Sequence, residues 1–259
     1  MSNWSYRGTN LDDLGIVTLV SDAFKMPERR GANVMIPYRH GRVWVEKYFE
    51  QRSLELGIEI HESDAEALEA KIDQLKALMG LPGLGTLAQT LENLSQRTCQ
   101  AEFTGDLHIT RTSPLAVKMV LGFTIPEPFF RSTLLASDEQ TVNSTPLAYT
   151  LNNPGSAQER DPIITLTGRL NNTVIANSTN GLSLTYSGSI PSPRVVTIST
   201  DDNGEYIATN DLGANVIGNI SHSGDVCLFA LEPGDNDLSV TDGLHTTGKI
   251  KVEFYPPYL

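Results

Sequence analysis

Apolar and polar residues alternate along much of this chain. The clearest run is Leu54-Glu55-Leu56-Gly57-Ile58-Glu59-Ile60, with an apolar residue at every second place and glutamate or glycine between. Successive side chains of a strand point to opposite faces, so this run predicts a strand with one dry and one wet face. Shorter runs at 16–20, 32–36 and 42–45 predict further strands. Arg39-His40-Gly41 suits a hairpin turn between the last two, because glycine tolerates positive φ. The period then changes. Leu68, Ile72, Leu75 and Met79 recur at helical spacing. Ser63 with Glu66 three residues on can form a capping box, and Gly80 followed by Pro82 supplies a stop. The stripe is read as packing on the chain's own sheet in preference to another subunit. A second, shorter helix is predicted over 86–94. Strands resume at 98–103, 106–109 and 115–125, with Thr104-Gly105 as the turn between the first two, and Pro126-Glu127-Pro128 breaks the pattern.

Beyond Asn152-Asn153-Pro154-Gly155 helical spacing disappears. Short apolar runs at 163–167, 173–175, 182–186, 195–199, 206–209, 226–231, 238–241 and 249–255 lie between Gly, Asn and Asp, which predicts a β-sandwich. The change of character places a domain boundary near residue 131, giving domains 1–130 and 131–259.

Composition narrows the function. With 39% hydrophobic and 19% charged residues, each half can build a core. The formal net charge of −12 disfavours gripping nucleic acid through its phosphates, and equally an anionic membrane surface. Cys99 and Cys227 are too few and too far apart for a disulfide framework and lack metal-site spacing; they read as buried apolar residues. The start of the chain lacks a signal-peptide pattern and no stretch reaches 18 apolar residues, so synthesis and retention in a cytoplasm are expected.

No motif carries chemistry. Gly218-Asn219-Ile220-Ser221-His222-Ser223-Gly224 has acyl-transfer residue types at the wrong spacing, and neighbouring strand residues such as Ser221 and His222 face opposite ways. His40, His61, His108, His222 and His245 form no helical ligand pair. Asp201-Asp202-Asn203-Gly204-Glu205 resembles a fragment of a calcium loop but reads better as a hairpin turn, and Glu232-Pro233-Gly234-Asp235-Asn236-Asp237 also reads as a turn. Leu81-Pro82-Gly83-Leu84-Gly85-Thr86 lacks the ending of a phosphate loop. The expectation is no catalytic residue, no metal and no cofactor.

Several short signals occur in a telling order. Leu14-Gly15-Ile16 precedes Pro27-Glu28-Arg29-Arg30-Gly31-Ala32-Asn33 and Ile36-Pro37-Tyr38-Arg39-His40-Gly41-Arg42; Tyr48 and Arg52 lead into the alternating strand. Arg97-Thr98-Cys99-Gln100-Ala101, Gly122-Phe123 and Pro126-Glu127-Pro128-Phe129-Phe130 follow. In the second half come Asn153-Pro154-Gly155-Ser156, Asp161 to Gly168, Leu228 to Asn236, and the closing Val252 to Leu259. In this order they resemble the distal tail protein family of long, non-contractile-tailed phages, over nearly the whole chain.

The resemblance implies a mainly β (α+β) protein. Its N-terminal domain would be a tail-tube-like β-barrel or sandwich with one helix, forming a ring, usually a hexamer. Its C-terminal domain would be a galectin-like β-sandwich outside the ring. It implies a structural, non-enzymatic virion protein of the tail tip, made in the host cytoplasm, that joins tail tube to tail-tip hub or baseplate while DNA passes through the lumen. The implied partners are further copies of the chain, the tail tube protein, the tail hub or tail-associated protein, and side-fibre or receptor-binding proteins. Sequence-specific nucleic acid binding and direct membrane insertion are not implied. An acidic lumen is expected, since it lets DNA slide. The alternative is a carbohydrate-binding, lectin-like virion protein for host attachment, with Tyr186, Tyr206 and Phe229 as the aromatic candidates. A glycoside or peptidoglycan hydrolase ranks third, because no pair of carboxylates stands out.

Overall fold

The computed structural model describes residues 3–19, 26–33, 35–38, 40, 48–105, 107–201, 204–224, 227–244 and 247–259. The chain divides into two compact units, Met1–Thr133 with Leu259, and Leu134–Tyr258. Both are antiparallel β-structures, and the described residues contain one α-helix.

The first unit contains β1 (Asn3–Tyr6), β2 (Thr9–Asn10), β3 (Ile16–Leu19), β4 (Arg29–Arg30), β5 (Tyr48–Phe49), β6 (Arg52–His61), α1 (Ala65–Met79), β7 (Gly85–Thr90), β8 (Gln96–Phe103), β9 (Thr110–Ser113), β10 (Ala116–Ile125) and β11 (Phe130–Ser132). The main path runs β2-β1-β7-β8-β10-β6-β3, with β9 on β10 and β11 on β8; β4 and β5 pair only with each other. The alternating run becomes β6. It pairs with β10 from Arg52↔Ile125 to His61↔Ala116, which sets Leu54, Leu56, Ile58 and Ile60 beside Phe123, Leu121, Met119 and Val117. All eight are buried.

Strand β8 meets β10 only at Glu102 and Phe103, while its other end pairs with β11. The sheet therefore bends there, and its two parts face each other. The Tyr6 ring on β1 lies 5.0 Å from the Phe123 ring on β10, and Phe103 stands edge-on to Phe123 at 6.0 Å. These aromatic contacts tie the two layers together. No barrel closes among the described residues.

Helix α1 buries Leu68, Ile72, Leu75 and Met79, the stripe read from the sequence. Its cap lies one residue later than expected. The Asp64 carboxylate, not the Ser63 hydroxyl, accepts the Ala67 N–H at 2.8 Å, and Ser63 donates to Asp64. A carboxylate gains additionally from the positive helix N-terminus. The cap's third residue is then Ala67, so no capping box forms.

Three expectations fail here. Residues 86–94 are not helical: β7 lies between β1 and β8, and Leu94 turns the chain at φ 63. Two flanking ladders outweigh the weak local preference of so short a run. Thr104-Gly105 does not turn a hairpin into 106–109. Both amides bond to the Gly122 carbonyl, and the next strand starts at Thr110. The described part of 32–36 is not a strand, whereas Arg29–Arg30 is. Residues 42–45, Arg39 and Gly41 lie outside the described residues.

The second unit is a β-sandwich built from β12 (Ala136–Val142), β13 (Leu147–Asn153), β14 (Ile163–Thr167), β15 (Leu170–Asn177), β16 (Leu182–Ile190), β17 (Val195–Thr200), β18 (Tyr206–Asn210), β19 (Ile220–His222), β20 (Gly234–Thr241) and β21 (Gly248–Phe254). One sheet has the order β12-β21-β14-β17-β18 and the other β13-β20-β15-β16-β19. Inward residues of both, among them Ile164, Leu166, Ile175, Leu184, Ile198, Val240 and Val252, form one core. The sandwich expected from the turn-punctuated pattern is present. Within 226–231, however, the described residues form a buried loop that carries the Glu159↔Leu231 bridge. An apolar run bounded by turns suits either a central strand or a buried loop, and side chains decide the case here.

Candidate functional site

That buried loop is held by asparagines. Asn153, Asn177 and Asn236 are 0–1% exposed. Asn177 donates to the Ala230 carbonyl and to the Asn236 side-chain oxygen, both at 2.9 Å. Asn153 donates to the carbonyls of Ala157 and Leu231 and accepts the Gly155 N–H. Asn236 accepts the Glu232 N–H and returns a bond to the Glu232 carbonyl. Buried backbone groups without ladder partners need such bonds. The Asn153-Pro154-Gly155 and Leu228 to Asn236 segments thus meet in one structural network at an end of the sandwich.

The residues weighed for chemistry do not converge. Ser221 and His222 sit exposed on β19, paired with Thr185 and Leu184. His40, His61 and His108 are exposed, and His245 lies outside the described residues. The Asp201 carboxylate accepts the Glu205 N–H at 2.8 Å and closes the β17–β18 hairpin, while Asp202 and Asn203 lie outside the described residues. No group of three or more metal-ligating side chains stands together among the described residues, and no helix there is long and apolar enough to cross a membrane.

The aromatic trio points inward. Tyr186 and Phe229 are 5% and 1% exposed, and Tyr206 packs against the same core. Tyr206, Phe229, Arg160, Asp161 and Ser199 line a crevice of about 10 Å³, the scale of one water molecule. A sugar ring does not fit there, and neither Tyr186 nor Phe229 offers it an open aromatic face.

Cys99 and Tyr206 are among the groups that titrate far from their ordinary ranges. Burial pushes the Cys99 thiol up to about 12, against the pull of Arg52, and burial likewise pushes the Tyr206 phenol up to about 12. Both hold their protons when folded and release them earlier when unfolded. Their contribution is complete below pH 9, the ordinary thiol value, and is lost as pH climbs towards 12. Urea midpoints are expected to hold steady up to about pH 9 and fall progressively above it. A midpoint that rises across that window would contradict the burial.

The first unit also presents open surfaces. The outward face of β6 and β10 carries Ser53, Glu55, Glu59, Lys118 and Val120. Glu59 takes bonds from Lys118 at 2.9 Å and His61 at 2.8 Å, and these bonds, Lys118 foremost, hold its carboxyl below the usual range. Strand β3 ends the main path, with Ile16 62% exposed. Between β3 and β6 an excursion of the chain exposes, among the described residues, Met26, Met35, Ile36 and Tyr38, with Tyr38 wholly in solvent. Sequence reading placed strands in this excursion and missed its exposed apolar side chains; the signal was the run of Met, Ile and Tyr without a polar alternation.

No protein-family model matches the sequence. No curated protein matches it either. Solved structures do. Chains of the phage P2 baseplate in its activated conformation, with calcium and with strontium, align over 98% of this chain and 98% of their own at 10% identity, with TM-scores of 0.43 and 0.42. The SPP1 Dit protein, described as a paradigm of the hub adsorption apparatus in phages infecting Gram-positive hosts, aligns over 98% of this chain and 99% of its own at 15% identity, with a TM-score of 0.65. Over essentially its full length, this chain has the Dit-like fold of a phage distal tail or hub protein.

Proposed function

We propose that this chain is a structural protein of a phage tail tip. Copies of the first unit close into a hexameric ring joining the tail tube to the hub or baseplate, and DNA passes through the lumen. The second unit, a galectin-like sandwich, stands outside the ring and anchors side-fibre or receptor-binding proteins. The observation that carries this reading is the likeness to SPP1 Dit across both units at once; a likeness in one unit alone would speak only for a common module.

The first unit has features that suit a ring. Closed rings need a heterologous interface, one surface of a copy meeting a different surface of the next. Among the described residues β3 ends its sheet, an edge on which a neighbouring strand could pair, and closure removes such edges. The exposed Met26, Met35, Ile36 and Tyr38 suit the complementary contact. The wet face of β6 and β10 is our candidate lumen surface. Glu55 and Glu59 outnumber Lys118 there, in keeping with an acidic lumen. The chain is not an enzyme in this reading, and the inward-facing Tyr186, Tyr206 and Phe229 support it over the lectin alternative. Negative-stain images of the full chain are expected to show rings with a central hole, and compact particles without a hole at every concentration would contradict it.

A further inference from the structure

We propose that β13, an open edge of the second unit's sandwich, binds an extended segment of a partner protein as an added strand, and that this segment alternates basic and apolar residues. The inference rests on the anchoring role proposed above for that unit. The sandwich has four edge strands, β12, β13, β18 and β19, and among the described residues three of them are blunted. Strand β12 turns a charge inward: Asp138 stands in phase with the buried Val142, and an inward charge on an edge disfavours pairing. Strand β18 already has a cover. Asn215 bridges to Thr209, the Val216 N–H donates to the Ala208 carbonyl at 2.8 Å, and the Asn210 N–H donates to the Ala214 carbonyl at 3.0 Å. Strand β19 is only three residues long, another guard against pairing.

Strand β13 has none of these guards. Leu147–Asn153 pairs with β20 without a register shift and contains no charge and no proline. No described strand pairs with its other side. A straight, uncharged edge of this length is a template for a further strand. Its side chains define the occupant. Leu147 and Tyr149 point inward, pack against the core and stay partly exposed, so apolar residues suit the inward positions of an added strand. On the outward face Thr150 donates to Asp237 at 3.1 Å and Asn152 donates to Asp235 at 2.7 Å, which sets two carboxylates beside the edge. The five strands of this sheet contain no Lys or Arg. Basic residues at the outward positions of the partner supply the missing charge.

The test is hydrogen–deuterium exchange of the full chain, read by mass spectrometry, with and without the synthetic peptide Lys-Val-Lys-Val-Lys-Val-Lys. An added strand bonds the outward amides of β13, so exchange across 147–153 is expected to slow about tenfold or more while β12 and β18 keep their rates. The same peptide N-methylated at every residue keeps its charge but cannot donate to a ladder, and is expected to leave exchange unchanged. Ala148→Lys puts a guard on the exposed side of the edge; with its fold confirmed by thermal melting, it is expected to lose most of the protection. Equal effects of the two peptides, protection at β12 or β18 in place of β13, or no protection at all overturn the inference. Ring closure does not enter this measurement and is read from particle images and mass, so the inference can fail while the ring reading stands.

Discussion

Replacing Phe123 by alanine is expected to destabilise the first unit by about 3–5 kcal/mol, the range for deleting a buried ring that its surroundings cannot refill. Phe123 is 1% exposed near the C-terminal end of β10. Its ring meets Tyr6 from one layer and Phe103 from the strand where the sheet bends, and its backbone pairs with Leu54 and Phe103. Tyr6 lies on β1 and Leu54 on β6, so the cavity would open between the two layers and weaken both. Tryptophan fluorescence isolates this effect, because both tryptophans, Trp4 and Trp44, belong to the first unit. The urea midpoint by fluorescence should fall sharply while the β-signal of the second unit keeps its own transition. A fluorescence midpoint equal to that of the parent would show that the layers are not joined through this ring.

The complementary prediction concerns Asp242. This residue is 5% exposed. One carboxylate oxygen accepts the Asn171 N–H at 2.7 Å and the Thr173 hydroxyl at 2.8 Å, and the other accepts the Leu244 N–H at 2.8 Å. Asn171 and Thr173 flank a break in the β15–β16 register, where Asn172 adopts φ 49. The carboxylate thus satisfies a backbone donor at the bulge, a nearby hydroxyl and a loop amide together. Asp242→Ala leaves three donors without their acceptor and is expected to cost about 3 kcal/mol, since each unsatisfied buried group costs on the order of 1 kcal/mol or more. Asp242→Asn, which keeps an acceptor oxygen, should recover part of the loss. Circular dichroism in urea should register the change and tryptophan fluorescence should not. An equal shift of both signals would contradict the assignment of this network to the second unit alone.

Periodic features were legible in the sequence. The alternation from Leu54 to Ile60 and the stripe Leu68, Ile72, Leu75, Met79 each became the element they indicated, because each buries one face along its whole length. Features set by distant partners were not. Residues 86–94 had some helical character, but β1 and β8 lie on either side of Gly85–Thr90 and impose a strand. Residues 226–231 looked like a strand, yet Asn153, Asn177 and Asn180 take up the carbonyls of Ala230 and Leu231, and the described residues there form a buried loop. Arg7 shows the same limit. It begins a two-residue hairpin turn completed by Gly8, and its guanidinium donates to the carbonyls of Leu81, Pro82 and Gly83, pinning the segment that follows α1. Nothing in the local sequence links residues so far apart. A site of catalytic type was not found by sequence reading, and the candidate surfaces that emerged are an edge, an open sheet face and an excursion, which carry no residue motif.

The mass of the full chain in solution, measured by light scattering across concentration, tests the ring most directly. The account predicts a discrete species of about six times 28.3 kDa that grows at the expense of the monomer as concentration rises. A mass fixed at one chain throughout, or a continuous series of sizes with no closed species, would contradict it.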